Sequence, residues 1–467
     1  MKYEREGLLL PKQTEVPEDQ HLYESFRAAH IDGQETYKDL TLKADKKAHV
    51  LASWHDGENA SLVADHLDEA ALETRLNSLT SWKRELLTKQ DIDPDIKQAY
   101  RWRVNEDIAS IYMLKASAAG DMRNFRRWNE FIYGAPDEDI YRGALDWVAN
   151  DADVILAKPD QPAAVIAAAE KVAALLKPER GYRELLAPEE DTFKEVREDH
   201  LRATGYYALL LAGTDIPREG KITNEIGDPA LAHIVKHNLQ SDYAIVDATS
   251  STWGVTHSKE AVERPKAYNM PWQRFVGLGP GHEIGSHLLE RVNGARGPVA
   301  LAEDGLDRYE LGNEGRAVSR EQVPYETFDE FGKLVRWRDI LRRDIAIGYA
   351  HGVGENQPKP SSDVYEFMNA IDMMYQAKLT PDDSELTKQK AQAKTDALLT
   401  RVLKGTDGTG GAYLKDKVYL EGHVACWLTA NLEGPQVISE GDLGKFDINN
   451  PRHIALLQKK GLLPVSE

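Results

Sequence analysis

The sequence predicts an α+β fold that is predominantly helical. Apolar residues recur at helical spacing from residue 21 to about residue 153, with few β-branched runs among them. The segment 243–257 is instead rich in β-forming residues and is interrupted by Ser250, Ser251 and Gly254, so we expect two short strands joined by a turn. These observations favour a helical first domain, and a second domain that adds strands to its helices.

The chain divides into a tail and two domains. Residues 1–20 are polar and punctuated by proline, which predicts a tail or a strap over the surface. The segment 177–195 contains two prolines and many acidic residues, so we expect a hinge there, between a helical domain 21–190 and a second domain 191–467. The periodicity predicts helices at 68–90, 95–118, 138–150, 162–176, 195–213, 272–292, 313–322, 325–350, 362–377, 384–404 and 417–431.

Composition restricts the classes of function. The net charge of −19 over 467 residues argues against nucleic acid and against anionic membranes as partners. The single cysteine, Cys426, excludes an intramolecular disulfide and suits a reducing compartment. Neither a signal-peptide core nor an apolar run of 18 residues is present, so we expect a soluble cytoplasmic protein.

The segment with the clearest chemistry is His282-Glu283-x-x-x-His287. Two imidazoles and a carboxylate are what a catalytic zinc site requires, because the nitrogens bind the metal and the carboxylate accepts a proton from bound water. Five residues of a regular helix rotate the second side chain by about 140°, so the two rings would point apart. They converge only if the turn is widened as in a π-bulge, a distortion that Gly285 eases.

Three motifs resemble one family of enzymes. They are His-Glu-Ile-Gly-Ser-His at 282–287, Asn-Glu-Gly-Arg-Ala at 313–317, and Arg401-Val402 followed by Gly-Gly-Ala-Tyr-Leu-Lys-Asp-Lys-Val-Tyr-Leu-Glu-Gly at 410–422. In this order they resemble the tyrosine carboxypeptidase-like zinc metallopeptidases, which include the microtubule-associated tyrosine carboxypeptidases and the bacterial flavohaemoglobin expression-modulating QEGLA-motif proteins. The resemblance covers residues 282–422 and is weak before residue 205. It implies a zincin-like metallopeptidase domain over residues 191–467.

The third metal ligand has two candidates. Glu303 and Glu314 both follow the histidines, and their spacing cannot choose between them. The resemblance favours Glu314, which with His282 and His287 would leave a fourth position on Zn²⁺ for water, while Glu283 acts as general base. The motif departs from the family at Arg316, where an apolar residue is usual. We expect that arginine to narrow the pocket or to pair with Glu303 or Asp304.

Substrate-binding residues are expected on the third motif. A carboxypeptidase must recognise a free carboxylate, and Arg401, Lys404 and Lys415 are the candidate cations. Tyr413 and Tyr419 are candidates for lining a pocket or for donating a hydrogen bond to the polarised carbonyl, with Tyr419 as the catalytic candidate. Lys404 stands where the family usually has arginine, so a bidentate clamp would be lost there.

The sequence thus predicts a zinc-dependent peptidase that removes a C-terminal residue, which the resemblance suggests is aromatic. An extended peptide or protein C-terminus would lie along an edge strand beside the metal. Two alternatives stay open. One is a non-catalytic regulatory or binding protein that retains the metal site, and the other is a metal-dependent amidase acting on a small molecule.

Overall fold

The computed structural model confirms a predominantly helical fold with small sheets. It describes residues 8–11, 16–30, 39–64, 66–158, 160–176, 181–201, 206–249, 252–354, 357–380 and 382–463. Within these ranges, no helix combines the length and apolar character needed to cross a membrane.

The first half of the described chain is helical throughout. Its helices are α1 (Gln20–His30), α2 (Ala44–His55), α3 (Glu69–Thr88), α4 (Pro94–Ala118), α5 (Met122–Tyr133), α6 (Glu138–Leu156), α7 (Ala163–Leu175), α8 (Glu190–Leu201) and α9 (Tyr206–Leu210). Four aspartates, Asp68, Asp93, Asp121 and Asp137, each precede a helix and accept a backbone N–H from its first turn. Such caps satisfy donors that the helix itself leaves unpaired, which explains why α3 to α6 begin where they do.

The second half contains two small sheets and a π-helical segment. Its elements are β1 (Lys221–Thr223), α10 (Asn224–His233), β2 (Ala244–Asp247), β3 (Gly254–Thr256), β4 (Ala261–Arg264), β5 (Asn269–Pro271), α11 (Trp272–Val276), the π-helix Gly277–Leu288, α12 (Leu289–Gly294), α13 (Glu310–Gln322), α14 (Phe328–Gly332), α15 (Val335–His351), α16 (Ser361–Leu379), α17 (Ser384–Val402), α18 (Val418–Glu433), α19 (Val437–Glu440) and α20 (Pro451–Lys459). A second π-helical turn covers Ile234–Asn238.

The strands predicted at 243–257 exist, but they do not pair with each other. In the sheet order β2-β4-β3, β4 is parallel to β2 and antiparallel to β3. The two predicted strands are therefore confirmed, the break predicted at Ser250 and Ser251 lies outside the described residues, and β4, which was not predicted, lies between the strands in the sheet. Edge strand β3 contacts the π-helix, so an edge strand does lie beside the segment that carries the two histidines.

Two of the predicted helices differ in the structure. The helix predicted at 325–350 is divided into α14 and α15, because the chain is extended at Leu334 (φ −76°, ψ 150°). The helix predicted at 195–213 appears as α8 and α9, and residues 202–205 between them lie outside the described residues, as do residues 177–180 of the expected hinge.

Two hydrophobic clusters form the core. One extends from Leu8 and α1 through α3 and α4 to the π-helix and α20, and the other joins α2, α6 and α7 to α15, α16 and α18. Each cluster takes residues from both sides of residue 190, and the division into two domains at that point stays a prediction.

Part of the predicted tail acts as a strap. The Leu10 backbone N–H donates to Asn293 Oδ1 at 2.8 Å, while Asn293 Nδ2 donates to the Leu8 carbonyl at 3.0 Å. Asp19 is buried and accepts hydrogen bonds from Tyr100 and from the backbone N–H of Ala300. The first described residues are thereby fixed to α12 and to the segment that follows it.

Candidate metal centre

His282 and His287 come together because the helix that carries them is wide. Residues Gly277–Leu288 form a π-helix, in which residues five apart lie on the same side. The two imidazole rings have their centroids 4.9 Å apart. The widened turn expected from the spacing is therefore present, and it extends over twelve residues rather than one turn.

Glycines allow neighbouring tyrosines to approach this π-helix. A Cβ atom on Gly285 would overlap the hydroxyl oxygen of Tyr206, and one on Gly281 would overlap that of Tyr207. Arg320 donates to the Gly285 carbonyl at 2.7 Å. The glycines between and before the histidines are thus required by packing, which gives the Gly-rich sequence of this segment a physical reason.

Three donor atoms converge beside the π-helix. His282 Nε2 lies 3.5 Å from Glu314 Oε2, and His287 Nε2 lies 3.6 Å from the same oxygen. One ligand atom from each residue lies within 4.8 Å of the other two. Glu314 Oε2 is buried and makes no hydrogen bond to any described residue. A buried carboxylate oxygen without a donor is in a position that suits binding to a cation.

These three residues fit a zinc ion. Tetrahedral donors at 2.0–2.1 Å from zinc lie roughly 3.3–3.5 Å from one another, close to the separations seen here. Two imidazole nitrogens with one carboxylate oxygen form a donor set typical of catalytic zinc, which keeps one position open. Among the described residues, no other three side chains of His, Cys, Asp or Glu bring their ligand atoms within 4.8 Å of one another.

Glu314 is brought to the site by a close crossing of α13 and α18. A Cβ atom on Gly315 would overlap the backbone of Gly422, and one on Gly422 would overlap the carbonyl of Leu311. The crossing brings Tyr419 near Glu314. Burial, together with the negative charge of Glu314, raises the pKa of Tyr419 to about 12. The glycines of the second and third motifs are therefore contact points between helices.

A further carboxylate, Glu321, lies behind His282 and belongs to none of the three motifs. Glu321 Oε1 lies 2.7 Å from His282 Nδ1 and 3.5 Å from Arg336 Nη2. Burial would raise the pKa of Glu321, but Arg336 and His282 outweigh it and lower that pKa. Metal-binding histidines commonly donate their second N–H to such a carboxylate. Glu321 follows Glu314 by seven residues, about two helical turns, so both lie on one face of α13. That spacing was the one feature of the sequence that could have indicated Glu321.

The protonation states of the site follow from burial and charge. Burial disfavours charge on His282, but Glu321 and Glu283 outweigh it and raise the pKa of His282 to about 10. For Glu314, the nearby histidines overcome the effect of burial and hold its pKa well below the usual range. Glu283 is 7% exposed, and burial raises its pKa although both histidines oppose that effect. Glu283 is thereby suited to exchange a proton.

The alternative ligand Glu303 is engaged elsewhere. It pairs with Arg291 at 2.8 Å, and it is not part of the donor cluster. Arg316 does not pair with Glu303 or Asp304 as expected, because it is buried in an ion network with Glu290 and Asp442. The arginine in this motif is therefore an interior residue, 1% exposed, and does not line an open pocket.

The other candidate substrate residues have internal partners. Arg401 is held by both oxygens of Asp416, with Nη2 2.8 Å from Oδ1. Lys415 Nζ lies 2.8 Å from Glu310. Tyr413 is 2% exposed, and its hydroxyl lies 3.0 Å from that of Tyr133. These contacts occupy Arg401, Lys415 and Tyr413. Tyr419 is partly buried, as are Arg401 and Lys415.

Two arginines that lie outside the three motifs pack against Tyr419. The guanidinium carbon of Arg343 lies 5.0 Å from the centre of the Tyr419 ring, and that of Arg336 lies 5.8 Å from it. Both arginines come from α15 and are seven residues apart, so they lie on one face of that helix. Their spacing was visible in the sequence, but nothing in it linked α15 to the histidines.

A second group of polar side chains extends from the end of β3. His257 Nδ1 lies 3.0 Å from the Tyr243 hydroxyl, and His257 Nε2 lies 2.9 Å from Lys445 Nζ. Burial and neighbouring cations, Arg291 among them, lower the pKa of Lys445 to about 7. Burial, together with Lys445 and Arg291, also lowers the pKa of His257. The place of this histidine in the sequence did not reveal these contacts.

Comparisons with known proteins add no relative. No protein-family model matches the chain, and neither do any of the curated proteins or solved structures searched.

Proposed function

We propose that the protein is a zinc-dependent peptidase that removes the C-terminal residue of a peptide or protein. The observation that carries this proposal is the convergence of His282, His287 and Glu314, with Glu283 buried beside them. The three motifs that resemble the tyrosine carboxypeptidase-like metallopeptidases support the same reaction. An aromatic C-terminal residue and a cytoplasmic location belong to this proposal, the latter supported by the single buried cysteine.

Each residue of the site has a definable task. Zinc held by His282, His287 and Glu314 would supply a Lewis acid and a water molecule that ionises near neutral pH. Glu283, whose Oε1 lies 4.0 Å from His282 Nε2, accepts the proton of the attacking water and delivers it to the leaving amine. Tyr419, which stays a neutral phenol because its pKa is raised to about 12, donates a hydrogen bond to the substrate carbonyl.

Edge strand β3 suits an extended substrate. It contacts the π-helix and has β4 on one side only, so its other edge is available for backbone pairing within the described sheet. A peptide that adds to this edge would run past the histidines. Backbone pairing would give affinity without selecting a sequence, and side-chain pockets would select the terminal residue.

One observation favours a second candidate, a regulatory protein that binds metal without turnover. His282 is 4% exposed and Glu283 is 7% exposed, so the base has little contact with solvent. A small-molecule amidase remains the third possibility, and it would differ from a carboxypeptidase in accepting blocked amides that lack a free carboxylate.

Elemental analysis of the purified protein beside His287→Ala tests the metal site. We expect about one zinc per chain, which the variant loses. Glu283→Gln then separates the candidates, because it should abolish peptide hydrolysis while zinc content and thermal unfolding stay unchanged. Absence of metal in the unmodified protein after zinc is supplied would overturn the hydrolase proposal. One zinc with no hydrolysis across a peptide panel would favour the regulatory protein.

A further inference from the structure

Several basic side chains gather near Tyr419. Arg336, Arg343, Arg401 and Lys404, here called the Tyr419 basic cluster, converge from α15, α17 and the residues after α17. The carboxylates that pair with them are Asp416 and Glu321. The neighbouring ion pair between Lys415 and Glu310 adds no net charge. Arg343 and Arg401 share a single carboxylate, Asp416, so this pair of guanidiniums can accept a further anion.

Within the cluster, Arg343 has the least complete set of partners. Asp416 offers both its oxygens to Arg401, and it lies 3.9 Å from Arg343 Nε. The Nη1 atom of Arg343 is buried and makes no hydrogen bond to a described residue. A buried donor left unsatisfied is costly, so a position of this kind suits an acceptor that arrives with a ligand.

The position of Arg343 connects it to the metal centre. Its guanidinium lies 5.0 Å from the centre of the Tyr419 ring. Tyr419 in turn lies one helical turn before Gly422, whose backbone packs against Gly315, the residue next to Glu314. Tyr419 therefore lies near both a metal ligand and the arginine, and an extended substrate could have its carbonyl at the tyrosine and its end at the arginine.

We propose that Arg343, rather than Arg401 or Lys415, binds the terminal carboxylate of the substrate and so makes the enzyme a carboxypeptidase. This inference rests on the proposed function. A guanidinium presents two parallel N–H donors that match the two oxygens of a carboxylate, and the partly dry surroundings strengthen such a pair. Arg401 binds both oxygens of Asp416, and Asp416 in turn lies beside Arg343.

The proposal fixes a substrate class. The residue removed must carry a free carboxylate within reach of Arg343, so peptides that end in an amide should bind poorly. Specificity for the terminal carboxylate would then depend on α15, outside the three motifs.

Two N-acetylated tripeptides ending in phenylalanine, one with a free carboxylate and one with a C-terminal amide, provide the test. Their binding to full-length zinc-loaded Glu283→Gln protein is measured by calorimetry, with and without Arg343→Gln. We expect the free acid to bind at least about tenfold more tightly than the amide, and Arg343→Gln to abolish this preference while zinc content is retained. Turnover by the otherwise unmodified Arg343→Gln protein should show a raised KM with a smaller change in kcat.

Arg338→Gln is the matched control. Arg338 lies on the same helix but pairs with Asp151 at 3.4 Å and stacks on Tyr375, so it should leave the preference unchanged. Full preference for the free acid in Arg343→Gln would overturn the proposal, and so would failure of the zinc protein to bind either peptide. Preferential binding of the acid without any hydrolysis by the unmodified protein would refute the peptidase but not the role of Arg343.

Discussion

Gly315 and Gly422 meet where α13 crosses α18, and neither position has room for a Cβ atom. Each glycine lies within three residues of a site residue, since Glu314 precedes Gly315 and Tyr419 precedes Gly422 by three positions. The close crossing therefore determines how near Glu314 lies to the tyrosine.

Gly315→Ala should weaken both the fold and the metal site. The added methyl group would overlap the backbone of Gly422, which cannot move as a side chain can, so we expect a loss of about 2 kcal/mol or more in the free energy of unfolding. Displacement of Glu314 should also lower zinc affinity. Urea unfolding and zinc titration check both effects. The control variant Gly254→Ala, where nothing lies within 4 Å of the added atom, should change neither the free energy of unfolding nor the zinc affinity.

Glu321→Gln should weaken zinc binding without unfolding the protein. Glutamine preserves the shape of the side chain but removes the negative charge that lies 2.7 Å from His282 Nδ1. Loss of such a supporting carboxylate typically lowers metal affinity by about 10- to 100-fold. Competition with a chromophoric chelator measures the change. Glu366→Gln, at a side chain that is 75% exposed, serves as the control, and equal affinities in the two variants would contradict the supporting role.

His423→Phe should make the protein more resistant to acid. His423 is fully buried against Phe328 and Trp337, and neither ring nitrogen makes a hydrogen bond to a described residue. Burial lowers its pKa from 6.5 to about 3. The unfolded chain therefore takes up a proton below pH 6.5 that the folded protein accepts only near pH 3, and stability falls as the pH falls through that window.

Urea unfolding of the metal-free protein at pH 8 and pH 5 tests this prediction. The histidine should contribute up to about 2 kcal/mol to the loss of stability between these values, and His423→Phe should remove that part. The control variant His21→Gln, at a fully exposed position, should lose as much stability between pH 8 and pH 5 as the unmodified protein does. An equal pH dependence in the His423 variant would show that the buried ring is not the acid-sensitive group.

Cys426 should be unreactive until the protein unfolds. Its side chain is fully buried, and burial raises its pKa to about 11, so little reactive thiolate forms at pH 8. A chromogenic disulfide reagent should detect no thiol in the native protein and one thiol per chain in guanidinium chloride. Rapid reaction of the native protein would indicate that the interior around α18 opens more readily than its packing implies.

The cluster of candidate metal ligands could be predicted because its residues are concentrated in short motifs. His282 and His287 with an intervening glycine required a widened turn, and that turn is present. Glu321 and Arg343 could not be found in this way, since each is a charged residue on an ordinary amphipathic helix. Their roles depend on which helices meet, and spacing along one helix does not contain that information.

The errors in secondary structure have a similar origin. The pattern between 325 and 350 is continuous, but Gly332 packs closely on Trp147 and the chain turns before α15 begins. Strand β4, Ala261–Arg264, is short and carries two charged residues, so it gave no signal of its own. In both places tertiary contacts override the local pattern.

The extent of the π-helix has a consequence for how such sites are recognised from sequence. A search rule for paired histidines assumes 3.6 residues per turn and therefore a spacing of four. A chain with one more residue between the histidines presents the same pair to a metal when its helix is wound with a wider turn. Residue spacing is thus a reliable guide to a metal site only together with the winding of the helix that bears it.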